Sequence, residues 1–321
     1  MNQLTVKGTH YQCGYQIGKK YQNEIKQRLK IYNITKKKTN QHQKQLEKIL
    51  SNIQRKFNDY IEEIKGMADG SNITFQELFY LNCAELSQDH HGCSSIAQID
   101  EKNIILAHNE DSSIKDKKQN TALIKFQLPH ITFLSFTYLG ELPANAYSWN
   151  QHGLYFSVNY IKAKNLNLHF IPRYFLARGL IDCRSIKEAI VFLKKVKSSS
   201  AFHYFLGQKN KILSIEQLHD QLSIKEIKVT NFHTNHFIHD QFYNNAEVYT
   251  RSKEHYLQLE RLIQTKDPLT CLFDKKNRPH AIYAREGDSS RTLSTVLFKP
   301  QQHKIEIYER DSKKSKKVFR L

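Results

Sequence analysis

The stretch Asp89-His90-His91-Gly92-Cys93-Ser94-Ser95-Ile96-Ala97 puts a cysteine directly after a glycine, at the head of an apolar, strand-like run. Asp111 follows 18 residues later, in His108-Asn109-Glu110-Asp111. That layout predicts a cysteine that becomes a new chain end by cutting its own peptide bond, then serves as the nucleophile of an amide-processing enzyme. On that reading residues 1–92 are a mostly helical propeptide that stays bound as a subunit. Residues 93–321 form the second subunit, and the two make one structural domain. A buried core cysteine beside an ordinary turn is the plain alternative, and these residues alone do not separate the two.

The chemistry explains why the cut matters. Thiols react as thiolates or beside a base. A free α-amine titrates near pH 8, so an N-terminal cysteine carries its own base. Freeing that amine requires cleavage of Gly92–Cys93: the thiol attacks the Gly92 carbonyl, and water hydrolyses the thioester. Glycine lacks a Cβ, which gives the backbone access to the strained conformation of that attack.

Three further clusters bear on the cysteine. His108–Asp111 ends a strand, as the return strand of a hairpin starting at Cys93 would, and Asp111 can bind the α-amine or simply cap a turn. Asn159 closes the apolar run Leu154-Tyr155-Phe156-Ser157-Val158-Asn159, where it can donate to a substrate carbonyl or cap a turn. Asn235 stands between two histidines in Phe232-His233-Thr234-Asn235-His236-Phe237, a position for an oxyanion donor. Metal ligation has two sets to draw on, Asp89, His90 and His91 with Cys93, and His233, His236 and His239. Neither stretch reads as a helix and HExxH is absent, so a catalytic metal has little support.

Composition narrows the classes. With 321 residues, 39% apolar and 25% charged, the chain has a globular composition with room for a sizeable core. No apolar run approaches the ~18–20 residues of a membrane span. The N-terminus lacks a secretory pattern. Five scattered cysteines without a CxxC pair fit reduced thiols in the cytoplasm better than a disulfide framework or a zinc site. The net charge of +18 comes from lysines spread along the chain, without a nucleic-acid-binding signature, so a solvated basic surface is expected. Neither a nucleic-acid nor a membrane partner is implied.

Hydrophobic patterning predicts a strand over 1–8, helix from about 15 to 66 broken at 66–70, and a helix after the capping pair Thr74 and Glu77. Beyond Gly92 it predicts strands over 93–99, 103–108, 122–127, 132–138 and 153–160, then helices over 172–180 and 185–196. Strands over 201–206, 211–217, 221–229 and 232–236 precede helices over 251–264 and 268–273, and a pair over 292–299 and 304–308 closes the order. Helices packed outside two antiparallel sheets is the α+β architecture this order suggests.

Several of these pieces together carry a family resemblance. They are Gly8–Gly18 with its glycines and aromatics, Glu63-Ile64-Lys65-Gly66-Met67-Ala68, Gly92-Cys93-Ser94-Ser95 and Asn109-Glu110-Asp111. Asn159, His233-Thr234-Asn235-His236 and Thr292-Leu293-Ser294-Thr295-Val296-Leu297-Phe298 continue the series. In this order the chain resembles the acyl-coenzyme A:6-aminopenicillanic acid acyltransferase family of N-terminal-nucleophile hydrolases. The resemblance implies a four-layer αββα fold, self-cleavage before Cys93, and acyl transfer through a Cys93 thioester to water or an amine. It implies Cys93 as nucleophile, Asp111 as its amine partner, Asn235 as oxyanion donor and Asn159 as a second carbonyl contact. An arginine upstream of the Thr-Leu strand belongs to the pattern, with Arg285 the first match and Arg291 the second. Where family members carry Asn-Trp-Asp or similar, this chain has Asn109-Glu110-Asp111. No cofactor is implied, although acyl-coenzyme A can serve as an acyl donor. The expected partner is a small-molecule amide or acyl thioester, and the cleaved fragments are expected to stay together as a heterodimer. A catalytically silent binding protein of the same fold is the competing function, and an uncut papain-like protease ranks last.

Overall fold

The computed structural model describes residues 1–87, 92–100, 103–116, 118–243, 245, 247–285, 287–288 and 290–320. Asp89, His90 and His91 lie outside the described residues. Strand β1 (Asn2–Lys7) leads into helices α1 (His10–Lys20), α2 (Gln22–Ile31), α3 (Lys36–Gln41), α4 (Gln43–Ser71), α5 (Phe75–Asn82) and α6 (Ala84–Ser87). Strands β2 (Gly92–Ile99), β3 (Ile104–Ser112), β4 (Thr121–Gln127), β5 (Thr132–Tyr138), β6 (Tyr147–Asn150) and β7 (Leu154–Ile161) follow. Helices α7 (Arg173–Ile181) and α8 (Ile186–Lys195) precede β8 (Ala201–Gln208), β9 (Lys211–Leu218), β10 (Gln221–Glu226) and β11 (Asn231–His233). Helices α9 (Thr250–Leu262) and α10 (Pro268–Leu272) and strands β12 (Arg291–Lys299), β13 (Lys304–Tyr308) and β14 (Lys316–Phe319) complete the order. Among the described residues no helix is long and apolar enough to cross a membrane.

The chain groups into two compact units, and their limits do not follow the Gly92–Cys93 bond. The first unit comprises residues 1–89, 116–151 and 165–200. In it β1 runs parallel to β4, and β5 and β6 extend that edge antiparallel. Helix α1 lies on α4 through four glycines. A Cβ on Gly14 would stand 2.0 Å from the Glu63 carbonyl oxygen, and one on Gly66 would stand 2.0 Å from that of Tyr11. Gly18 and Gly70 meet Met67 and Tyr15 backbone in the same way. Helix α4 therefore runs through the expected break at 66–70, because these glycines serve a close helix crossing and not a turn. Thr74 does cap α5, with Glu77 answering as its capping-box partner.

Segments from both sides of residue 92 meet inside this unit. Arg178 of α7 is fully buried, 3.1 Å from Glu63 of α4 and 2.8 Å from Asp182. Its guanidinium sits 4.6 Å from the Tyr60 ring centroid and 4.9 Å from that of Phe133. Cation–aromatic contact of this kind, added to two carboxylates, satisfies a charge that burial would otherwise penalise.

The second unit comprises residues 90–115, 152–164 and 201–321. One sheet runs β7-β8-β9-β10 and the other β11-β2-β3-β12-β13-β14. They pack face to face: the Ser95 and Ser157 hydroxyls are 3.3 Å apart, and the His203 and His233 rings stack at 3.6 Å. Helices α9 and α10 cover the outer face of the six-stranded sheet, where Leu259, Leu269 and Leu272 pack on Ile96, Ala107 and Leu297. Helix-on-sheet in one unit and sheet-on-sheet-on-helix in the other are the α+β layers that the αββα expectation calls for.

The glycine crossing gives a direct test. Gly66→Ala forces a methyl group into the Tyr11 backbone, so we expect a loss of about 1–3 kcal/mol or more, as for overpacked interiors. Thermal unfolding of the variant should show a lower midpoint, and an unchanged midpoint would contradict the crossing.

Candidate active site

Strand β2 pairs antiparallel with β3, with Gly92 opposite Asp111, Cys93 opposite Glu110, and Ser95 opposite His108. Side chains alternate across a strand, so each opposite pair shares a face. Cys93, Ser95, His108 and Glu110 point between the two sheets, while Ser94, Asn109 and Asp111 point toward α9 and α10. The expected strand over 103–108 thus runs on to Ser112. It does so because β2 on one side and β12 on the other continue the ladder past His108. Between Thr292 and Ser294 the register of β12 shifts by a bulge, a common device beside reactive groups.

On the inner face a hydrogen-bonded chain starts at the sulfur. Cys93 Sγ donates to Glu110 Oε2 at 3.4 Å, and that oxygen lies 2.9 Å from His108 Nε2. His108 Nδ1 is 2.8 Å from Ser95 Oγ, and Ser95 donates to Asn159 Oδ1 at 2.6 Å. Asn159 Nδ2 in turn donates to the His233 carbonyl at 3.5 Å. Cys93 is 2% exposed. Burial, followed by the Glu110 carboxylate, pushes its thiol well above the ordinary cysteine value, while the Asp111 backbone N–H pulls the other way. The resting thiol is therefore protonated.

On the outer face Asp111 has two partners. Arg251 Nη2 donates to Oδ2 and Thr292 Oγ1 donates to Oδ1, each at 2.5 Å. Burial pushes the Asp111 carboxyl up to about 6, against the pull of Arg251 and then of Thr292. The guanidinium of Arg251 also rests on Gly92: a Cβ there would lie 2.4 Å from Nη1. Gly92 belongs to a regular strand with no positive φ. A side chain at this position would displace the Arg251 guanidinium, and the resting backbone is that of an ordinary strand.

Asn235 holds the bond itself. Its Oδ1 accepts the Cys93 N–H at 3.0 Å, and its Nδ2 donates to the Tyr160 carbonyl at 2.9 Å. A donor on one side and a carbonyl on the other fix the orientation of the amide. Its donor end is thus turned to Tyr160 and its acceptor end to the Cys93 nitrogen, an arrangement that differs from oxyanion donation. The first turns of α9 complete the frame. Ser252 Oγ accepts the Asn235 N–H at 2.8 Å, and His255 Nδ1 lies 3.1 Å from Ser94 Oγ.

Of the expected residues, Cys93, Asn235 and Asp111 converge on the Gly92–Cys93 bond, and Asn159 is joined to them through Ser95. Arg285 is not brought in. It is exposed, and its N–H donates to Asp288 Oδ2 at 2.7 Å. Arg291 is half-buried opposite Ser112. The arginine at the bond is Arg251, which no motif marked, and Glu110 and His108 join the site through the register. His233, His236 and His239 go to separate partners: Glu216, Ser252 and Ser214. Among the described residues one Cys/His/carboxylate group, Cys93 with His108 and Glu110, brings its ligand atoms within 4.8 Å of one another. The contacts among these three are hydrogen bonds.

Residues 98–314 match the family model described as acyl-coenzyme A:6-aminopenicillanic acid acyl-transferase, a span that begins just after Cys93. A beta-alanyl-dopamine/carcinine hydrolase of Drosophila melanogaster is 28% identical, covering 73% of this chain and 71% of that protein. Two solved structures are looser likenesses. A variant conjugated bile acid hydrolase of Clostridium perfringens is 12% identical with a TM-score of 0.48, covering 71% of this chain and 92% of that one. A penicillin V acylase of Agrobacterium tumefaciens is 9% identical with a TM-score of 0.40, covering 71% and 84%.

The raised Asp111 value predicts a pH effect on stability. A carboxyl that binds its proton more tightly in the folded chain than its ordinary ~3.9 stabilises fully below about pH 4. That contribution is lost as pH rises through about 6, by roughly 2–3 kcal/mol. Asp111→Asn cannot titrate. Denaturant unfolding at pH 4 and pH 7 should therefore show the wild type losing stability relative to the variant, and a constant difference would refute the assignment.

Proposed function

The chain belongs to the acyl-coenzyme A:6-aminopenicillanic acid acyl-transferase family, and on that premise we propose an enzyme that cuts itself between Gly92 and Cys93 and then processes amides through a Cys93 thioester. One observation carries the proposal. The nitrogen of that bond is held by Asn235, its α-carbon is covered by Arg251, and the thiol beside it faces an acid–base pair. A core cysteine would need none of these.

In turnover, the α-amine freed by the cut accepts the thiol proton, and the thiolate attacks the substrate carbonyl. The C–N bond breaks as the amine returns the proton to the leaving nitrogen. Water or an acceptor amine then attacks the thioester and restores the thiol. Asn235 Oδ1, which accepts the N–H before the cut, accepts an amine proton afterwards and keeps the amine beside the sulfur. Arg251 and Asp111 hold the residue 92 side of the site. Electrostatic positioning of this kind is the larger part of catalysis in many acyl transfers.

Substrate class follows from the family and from the site's neighbours. The Drosophila relative is named for hydrolysis of beta-alanyl-dopamine and carcinine, and we assign this chain a small N-acyl amine in the same general class. Acyl-coenzyme A as acyl donor remains compatible with the net charge of +18. A cavity of about 470 Å³ is lined by Lys164, His236, Phe237, Tyr243, Val248 and Tyr256, among others. It adjoins Asn235 through His236, whose Nδ1 is 2.7 Å from Ser252 Oγ. We place the acyl or amine portion of the substrate there. The fragments stay together because β1 is a strand partner of β4 and Arg178 is paired to Glu63. The free, buried cysteines fit a reducing compartment such as the cytoplasm.

Purified protein should separate on a denaturing gel into pieces of about 11 and 27 kDa, by proportion of the 37.8 kDa chain, with Cys93 as a new N-terminus. Cys93→Ala should remain one piece, and a wild type that stays uncut and inert toward amides would overturn the proposal. Asn235→Ala should lower kcat/KM by about tenfold, as for the loss of one hydrogen bond of ~1–1.5 kcal/mol that holds the amine beside the sulfur. Turnover should fall below about pH 7, as the α-amine becomes fully protonated. A rate that is flat to pH 5 would remove the amine from the mechanism.

A further inference from the structure

Before the cut, the enzyme lacks the base that its turnover uses. The nitrogen of Cys93 is then an amide, its lone pair is delocalised into the Gly92 carbonyl, and its hydrogen is donated to Asn235 Oδ1 at 3.0 Å. The thiol is buried and protonated. Something other than the α-amine has to take the first proton. Resting on the self-cleavage proposed above, we infer that Glu110 is the general base of that cleavage and that His108 is the positioning residue that keeps it competent.

Geometry selects Glu110. Its Oε2 is 3.4 Å from Cys93 Sγ, the distance of a thiol hydrogen bond. The neighbouring carboxylate, Asp111, projects from the opposite face of the sheet, and its oxygens bind Arg251 and Thr292. His108 reaches the sulfur only through Glu110, with Nε2 at 2.9 Å from the same Oε2.

The protons along the chain can be assigned in turn. Asn159 Nδ2 faces the His233 carbonyl, so its Oδ1 is the acceptor of the Ser95 hydroxyl. Ser95 Oγ, having given its own hydrogen to Asn159, accepts from His108 Nδ1–H. The other imidazole nitrogen is thereby left facing Glu110 Oε2 at 2.9 Å. A carboxylate held in that arrangement accepts the proton from sulfur while the imidazole keeps it in place. The residues belong to β2, β3 and β7, so the alignment is rigid before any substrate arrives.

The step balances without a cofactor. The Sγ–H bond breaks and its proton goes to Glu110 Oε2, and the sulfur lone pair forms the S–C bond to the Gly92 carbonyl. As the C–N bond breaks, Glu110 returns the proton to the Cys93 nitrogen, which becomes the free α-amine. One water then adds to the thioester carbonyl, leaving a Gly92 carboxyl group and a Cys93 thiol. Glu110 ends as it began.

The test follows full-length chain made by cell-free translation, with intact mass and gel bands recorded against time. Wild type should convert to the two fragments. Glu110→Gln keeps the size and the hydrogen-bonding reach and removes the base, so conversion should slow about a hundredfold or more. Its residual rate should rise about tenfold per pH unit between pH 7 and 9, because hydroxide must then ionise the thiol. A merely structural role predicts no such slope, so a slow rate that is flat with pH overturns the inference, as does conversion within threefold of wild type. Should Glu110→Gln melt below the assay temperature, Glu110→Asp and Glu110→Asn pose the same question at matched size. The acid should then exceed the amide at least tenfold, and equal rates overturn the inference. Cleavage in wild type and in Glu110→Gln alike defeats the role of Glu110 and leaves self-cleavage standing, whereas an uncut wild type defeats both.

Discussion

The register of β2 on β3 is the constraint on which the site depends. Because Cys93 stands opposite Glu110 and Gly92 opposite Asp111, two adjacent carboxylates are delivered to two faces of one sheet. A slip of one residue would exchange those faces and bring the thiol to the wrong acid. The register is held from both sides, by Asn109 reaching the Leu272 and Ile282 carbonyls beyond the sheet and by Thr295 reaching Asn109 from β12.

The separation has chemical consequences. Asp111 lies among cation and hydroxyl partners beneath α9, where it fixes Arg251 against the Gly92 α-carbon. Glu110 lies between the sheets, in a hydrogen-bonded chain that begins at a thiol and ends at a backbone carbonyl. Asp111 thus organises the contacts on Gly92, and Glu110 those on the Cys93 thiol. Were both carboxylates on one face, their mutual repulsion would oppose ionisation of either and of the thiol as well. Alternation along a strand keeps them apart at no cost in chain length.

Helix α9 shows how much of the frame comes from a single element. Arg251, Ser252 and His255 bind Asp111, Asn235 and Ser94 respectively. In sequence they look like the ordinary polar start of an amphipathic helix, and none stands in a motif with Cys93. Arg285 is the first match to the family's arginine because it precedes the Thr-Leu strand, yet it is exposed beside Asp288. Position along a chain identifies an arginine near a strand. It does not say which one the packing of a helix will direct at a bond 159 residues away.

Local patterning determined much of the architecture. The strands after Gly92, the capping pair Thr74 and Glu77, and the helices over 172–180 and 185–196 follow from side-chain period and capping chemistry, which act over a few residues. Glycines misled where their partners were distant, since Gly66 reads as a helix break until Tyr11 is seen lying on it. Cys93, Asp111 and Asn235 could be singled out because a Gly-Cys step with polar residues at strand ends stands out in sequence, and the fold brings the three to the Gly92–Cys93 bond. What the sequence could not supply was direction: which face each carboxylate takes, which end of Asn235 meets the nitrogen, and which arginine covers the bond. Those depend on pairing register and on contacts between residues far apart in the chain, and only the folded sheets and the helix packed over them decide such contacts.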